Sequence, residues 1–120
     1  MPRDPMRRAN MWHWFTQGLS DVAATSAALF RTENSVPEKS AANTEYFRKR
    51  LLSFFSVCDA HLATHEFLAD EFSVAELMLY PNFAARKPLI DQAGGFDHLQ
   101  RWGQRVSARP GIQKGMKVLG

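Results

Sequence analysis

Apolar residues recur every three or four positions along nearly the whole chain, and no stretch alternates with period two. Such a sequence can bury its apolar surface only as helices packed on helices. In the first segment Trp12, Phe15, Leu19 and Val22 step by three and four, Ser26 interrupts the stripe, and Leu29 and Phe30 resume it. Asp4 followed by Pro5 suits a cap and a first helical residue, which predicts a helix from about Pro5 to Phe30. The polar Arg31–Ser35 stretch ends it, and Pro37-Glu38 starts a second helix. There Phe47, Leu51, Phe54, Phe55, Cys58 and Leu62 share a face, and the helix is expected to end near Ala63–His65. Two long helices with a short connection favour antiparallel packing.

The start of the third helix is the most sharply specified point. Ser73-Val74-Ala75-Glu76 fits a capping box, in which serine and glutamate side chains reciprocally satisfy amides of the first turn. Phe72 before the cap and Leu77 after it fit the matching hydrophobic staple. The run from Val74 to Tyr80 is apolar on nearly all sides, as a buried central helix would be, and Pro81 is expected to bend or shorten it. Gly94-Gly95 breaks the chain. Phe96, Leu99, Trp102 and Val106 mark a fourth helix, and Ile112, Met116 and Leu119 a short fifth. The expectation is one all-α domain over residues 1–120, a bundle of about five helices, with residues 1–4 as a linker-like start.

Composition excludes several classes. Hydrophobic residues make up 45% and charged residues 22% of the 120, a globular balance. No apolar run reaches the roughly 18 residues of a membrane span, and no signal peptide is visible behind the N-terminal charges. Cys58 is the single cysteine, so neither an internal disulfide nor a CxxC pair can form. A soluble cytoplasmic protein is expected. The net charge of +3 is concentrated in Arg101, Arg105, Arg109, Lys114 and Lys117. Their spacing of about four reads as a solvated helix surface rather than a nucleic-acid stripe, which would need interleaved aromatics.

Two stretches resemble a known family. Phe67-Leu68-Ala69-Asp70-Glu71-Phe72-Ser73-Val74-Ala75-Glu76, extended by Tyr80-Pro81, resembles the FLAGDEFSIAD signature of the glutathione transferase C-terminal domain. His98-Leu99-Gln100-Arg101-Trp102 through Ser107-Ala108-Arg109-Pro110 resembles that family's HLKRWLERVAARP helix, and Pro2 to Trp14 looks like its linker and first helix. The glycine usual between Ala69 and Asp70 is missing, and Gly103 stands where leucine is usual. Gly103 is expected to cost about 1 kcal/mol of helix propensity and a packing group. The resemblance implies a helical domain without the thioredoxin-like domain that binds glutathione. It further implies a wall for a hydrophobic co-substrate and a dimer surface, with no cofactor bound by this domain alone. A homodimer, or a thioredoxin-like domain in trans, is the implied partner. A non-catalytic assembly module on the same fold is the alternative, and no nucleic-acid or membrane partner is expected.

No residue is assigned a catalytic role. No phosphate loop, serine elbow or carboxylate pair is present, and His61, His65 and Glu66 do not complete a metal set. His13 and Gln17, opposite the first apolar stripe, are candidates for contact with a hydrophobic small molecule, as are Tyr80 and Phe83 on the central helix. Trp14, on the flank of the stripe, reads as half-buried core or as an interface anchor. Cys58, on the apolar face of its helix, reads as a structural thiol.

Overall fold

The structure, a computed structural model, describes residues 1–119, the side chain of Leu119 excepted, so the expected part of Leu119 in the last stripe lies outside the described residues. The described residues are helical with no strand. The first rod comprises α1 (Pro5–Thr16), a π-helical segment (Gln17–Ala23) and α2 (Ala24–Asn34). It is followed by α3 (Ala41–Leu62), α4 (Val74–Ala85), α5 (Lys87–Ala93), α6 (Asp97–Ser107) and α7 (Pro110–Leu119). The bundle therefore has six rods, and the short α5, which periodicity alone did not mark, is the addition. Pro88 opens α5, and Gly94 and Gly95, with φ of 72° and 81°, end it in a conformation that a side chain would strain.

α1, α3 and α4 start on capping side chains, Asp4, Ser40 and Ser73. The Asp4 carboxylate accepts from the Arg7 amide at 3.2 Å, and Ser40 Oγ from the Asn43 amide at 3.2 Å. The latter places the start of α3 at Ala41 instead of Pro37. α6 has no cap of its own: Asp59, projecting from α3, accepts from the Leu99 amide at 2.9 Å. α4 passes through Pro81 and continues to Ala85.

The core joins Val22 and Leu29 of the first rod to Leu51, Phe55 and Leu62 of α3, with Leu79 and Phe83 of α4 and Leu99, Trp102 and Val106 of α6. The first rod buries Val22 and Leu29 of the expected stripe, but over its first half it turns a different face inward. Met11, Trp14, Gly18, Val22, Thr25 and Leu29 are buried, whereas Trp12 and Leu19 are 42% and 49% exposed. This rod is apolar on two adjacent flanks, and spacing alone cannot choose between them. Its wider π turn keeps the four-residue steps Trp14–Gly18–Val22 on one face; in an α-helix each such step drifts by about 40°. Gly18 gives the close approach to α4, since a Cβ there would sit 3.0 Å from Met78 Cγ.

Gly103 is likewise a packing requirement. A Cβ at this position would lie 2.4 Å from Cε1 of Phe83, so the Phe83 ring fills the volume that a side chain would need. The expected loss of a packing group is therefore made good from α4. Arg86, at the α4–α5 junction, fastens the first rod: Nε and Nη2 donate to Oγ and the carbonyl of Ser26, each at 2.8 Å, and Nη1 pairs with Glu33 at 3.2 Å. Ser26, which broke the apolar stripe, is thus a docking point.

Candidate functional site

Glu76 is the most constrained polar group of the fold. It is fully buried, and its Oε1 accepts from the Leu68 amide at 2.7 Å. Its Oε2 accepts from the Ser73 amide at 3.2 Å and from the Ser73 hydroxyl at 3.3 Å, while Ser73 Oγ accepts from the Ala75 amide. The reciprocal box is closed, and Glu76 also reaches eight residues back to hold the 63–73 segment. Burial pushes its carboxyl above the ordinary carboxylate value, and the surrounding donors oppose that rise.

The staple differs from expectation. Leu77 is 51% exposed and lines a groove against α7. Phe72 is instead covered by Phe67, edge-on at 5.9 Å, and by the Arg109 guanidinium 3.6 Å from its centroid. Arg105 donates to the Glu66 carbonyl at 2.8 Å and Arg101 to the Leu62 carbonyl at 3.3 Å. Three arginines of the basic C-terminal run therefore grip the 63–73 segment and the negative end of α3, a role their spacing did not reveal.

The four candidate pocket residues separate into two places. Tyr80 and Phe83 line an open cavity of about 140 Å³ between α4 and α6, with Gly103, Gln100 and Gln104 on its other side. Tyr80 also borders a second, apolar cavity of about 160 Å³ with Pro81, Ile112 and Met116. Phe83 is 3% exposed and packs edge-on against Trp102 at 5.8 Å, so it is a wall and not a free contact. His13 is exposed. Gln17 faces α3 instead of a cleft: its amide donates to the Phe54 carbonyl at 3.4 Å and its Oε1 accepts from Cys58 Sγ at 3.6 Å. The reason is the rotation of the first rod's buried face. The same rotation places Trp14, read from the sequence as half-buried core or an interface anchor, in the core at 6% exposure. The apolar flank that remains outside carries Trp12 against Phe15, edge-on at 5.3 Å, and Leu19.

Cys58 is buried, and desolvation pushes its thiol up to about 12, so it is a packed thiol and not a nucleophile. Among the described residues no group of three or more metal-ligating side chains converges, and no helix is long and apolar enough to cross a membrane.

These features define a class: an all-helical domain built on a buried capping box, with one flank of its first rod left apolar and uncovered. The family described as glutathione S-transferase, C-terminal domain, matches residues 20–117, and the chain belongs to it. The disulfide-bond oxidoreductase YghU of Escherichia coli K12 is 29% identical over 130 aligned positions, covering 98% of this chain and 44% of that protein. Glutathione S-transferase 3 of Zea mays is 33% identical over 78 residues, covering 62% and 35%. The chain thus spans less than half the length of these relatives. A glutathione S-transferase structure from Xylella fastidiosa superposes with a TM-score of 0.83 at 27% identity, over 96% of this chain and 57% of that one. Glutathione transferase URE2P6 of Phanerochaete chrysosporium, solved with oxidized glutathione, shares the fold with a TM-score of 0.87 at 20% identity, over 97% and 55%.

Proposed function

We propose that this domain serves glutathione-dependent conjugation or reduction as the wall of a hydrophobic co-substrate pocket and as an association surface, without catalysing alone. The observation that carries this reading is the Trp12–Phe15–Leu19 flank. A rod that already buries one apolar face gains nothing in water from a second, and uncovered aromatic surface of this kind suits a ligand or a partner. Exposed Phe30, Tyr46 and Val57 extend apolar surface along α2 and α3 and support association, as a dimer or with a thioredoxin-like domain. Half-exposed Tyr80, between its two cavities, is the pocket contact of choice among the earlier candidates, with His13 beside the flank. Glutathione belongs to the complete reaction and not to this domain's own side chains.

The test has two arms. The chain is assayed with glutathione and a model aryl halide, where no turnover above the uncatalysed rate is expected; robust turnover refutes the non-catalytic assignment. A fluorescent apolar probe is titrated in parallel, and Trp12→Ala with Phe15→Ala should weaken its binding several-fold. Unchanged probe affinity removes the flank from the pocket. Light scattering separates the alternative: a defined oligomer without probe binding identifies an assembly module.

A further inference from the structure

The 63–73 segment is held at a single residue, through the two peptides that flank it. The Leu68 amide donates to Glu76, and the Leu68 carbonyl lies 2.7 Å from His61 Nε2. A carbonyl can only accept, so the neutral His61 ring carries its proton on Nε2 and leaves Nδ1 bare. The His65 ring lies parallel to His61, with centroids 4.0 Å apart and planes 10° apart, and Trp14 lies 4.3 Å from His61. His65 Nδ1 is 2.9 Å from the His61 carbonyl in the last turn of α3. Parallel rings direct their lone pairs along planes that do not meet, so the pair cannot share a metal ion.

We propose that the stacked His61 and His65 form an acid-sensitive latch on the 63–73 segment. A proton on each ring sets two cations at stacking distance, which separates the rings and withdraws His61 from the Leu68 carbonyl. The Leu68 carbonyl favours the protonated His61 ring but burial outweighs it, and the charged side chains around the stack do not offset the added charge. From α1, His13 stands against Trp14 at 5.2 Å and adds a third imidazole. From α6, Arg101 reaches the Leu62 carbonyl and contacts His98. Within the segment Glu66 pairs with Arg105, and on α3 Asp59 is committed to the Leu99 amide. From α4, Glu76 faces the Leu68 and Ser73 amides. None of the described hydrogen bonds of either imidazole goes to a carboxylate.

Burial holds His61 below the ordinary histidine value, and repulsion from His65 and His13 adds to it. A depressed histidine contributes stability above its unfolded value, lost as pH falls toward its folded one. Glu76 has the opposite sign: its raised value favours the folded form on protonation, so it cannot supply an acid-side loosening.

The test is amide hydrogen exchange, expressed as protection factors, between about pH 7.5 and about pH 5, the range in which histidine titrates. Protection at Leu68 is expected to fall about ten-fold more than protection at Leu51 and Phe55 in the middle of α3. His61→Gln keeps a donor without a titrating ring, and His65→Ala removes the second cation from an exposed position; each should abolish the excess loss. In Glu76→Gln the excess loss should persist. Equal losses at Leu68 and in α3 of the unaltered chain overturn the latch, as does an excess that survives unchanged in both histidine variants.

Discussion

Gly103→Ala ought to stabilise α6, because alanine is favoured over glycine in a helix interior by about 1 kcal/mol. The packing argues for the opposite sign. The new Cβ would lie 2.4 Å and 2.6 Å from two carbons of the Phe83 ring, where relaxed carbon contacts are about 3.5–4.0 Å. The ring is 3% exposed and is set between Tyr80 at 6.1 Å and Trp102 at 5.8 Å. Overpacking of this kind costs about 1–3 kcal/mol, and the cavity of about 140 Å³ beside Phe83 offers partial relief. The net expectation is a loss of about 1 kcal/mol, or roughly 4 °C in Tm for a domain of this size. Gly115→Ala on α7, where a Cβ meets nothing within 4 Å, is the control and should gain stability. Urea denaturation followed by circular dichroism reads both, and Phe83→Leu completes a double-mutant cycle. Leucine removes the clashing ring carbons, so the double variant should be less destabilised than the sum of the singles, with a coupling of about 1–2 kcal/mol. A stabilised Gly103→Ala, or a coupling near zero, refutes the claim that Phe83 occupies the place of a residue-103 side chain.

Three further outcomes concern Glu76 and Cys58. Glu76→Ala strands the Leu68 and Ser73 amides and should cost about 2–3 kcal/mol. In Glu76→Gln the pH dependence changes: the native carboxyl, raised by burial, adds stability as pH falls through its folded value toward the ordinary carboxylate range, so Tm of the unaltered chain should rise relative to the glutamine variant there. An unchanged difference across that range would be inconsistent with a raised carboxyl. Cys58, with its thiol near 12, should resist thiol-directed reagents in native buffer and react promptly once urea unfolds the chain; rapid labelling of the native chain would contradict its burial.

Where one face of a helix is unambiguously apolar, its burial was legible in the sequence: Phe96 just before α6, and Leu99, Trp102 and Val106 within it, are all buried. The capping box was legible because its geometry is local, four consecutive residues answering one another. The first rod was not, since Trp12, Phe15 and Leu19 compete with Met11, Trp14 and Val22, and only contact with α3 and α4 decides which set is covered. The arginine grip on the 63–73 segment, the Ser26–Arg86 clamp and the reach of Glu76 to Leu68 link residues that spacing along one helix cannot relate. The candidate pocket residues divided for the same reason: Gln17 follows the rotation of its rod toward α3, while Tyr80 and Phe83 follow α4.

The Asp59–Leu99 bond bears on the order in which the chain acquires structure. A helix nucleus must fix several residues before it gains its first bond, and α6 has no side-chain cap of its own to assist that step. Its missing acceptor sits 40 residues upstream on α3, and the Arg101–Leu62 contact spans 39. α6 therefore gains its full start only once the chain has closed that loop onto a formed α3. The two helices make one cooperative unit, and the intervening α4 and α5 are enclosed by its closure. A ribosome releasing this chain would present α3 as a template long before the segment destined to lie on it had emerged.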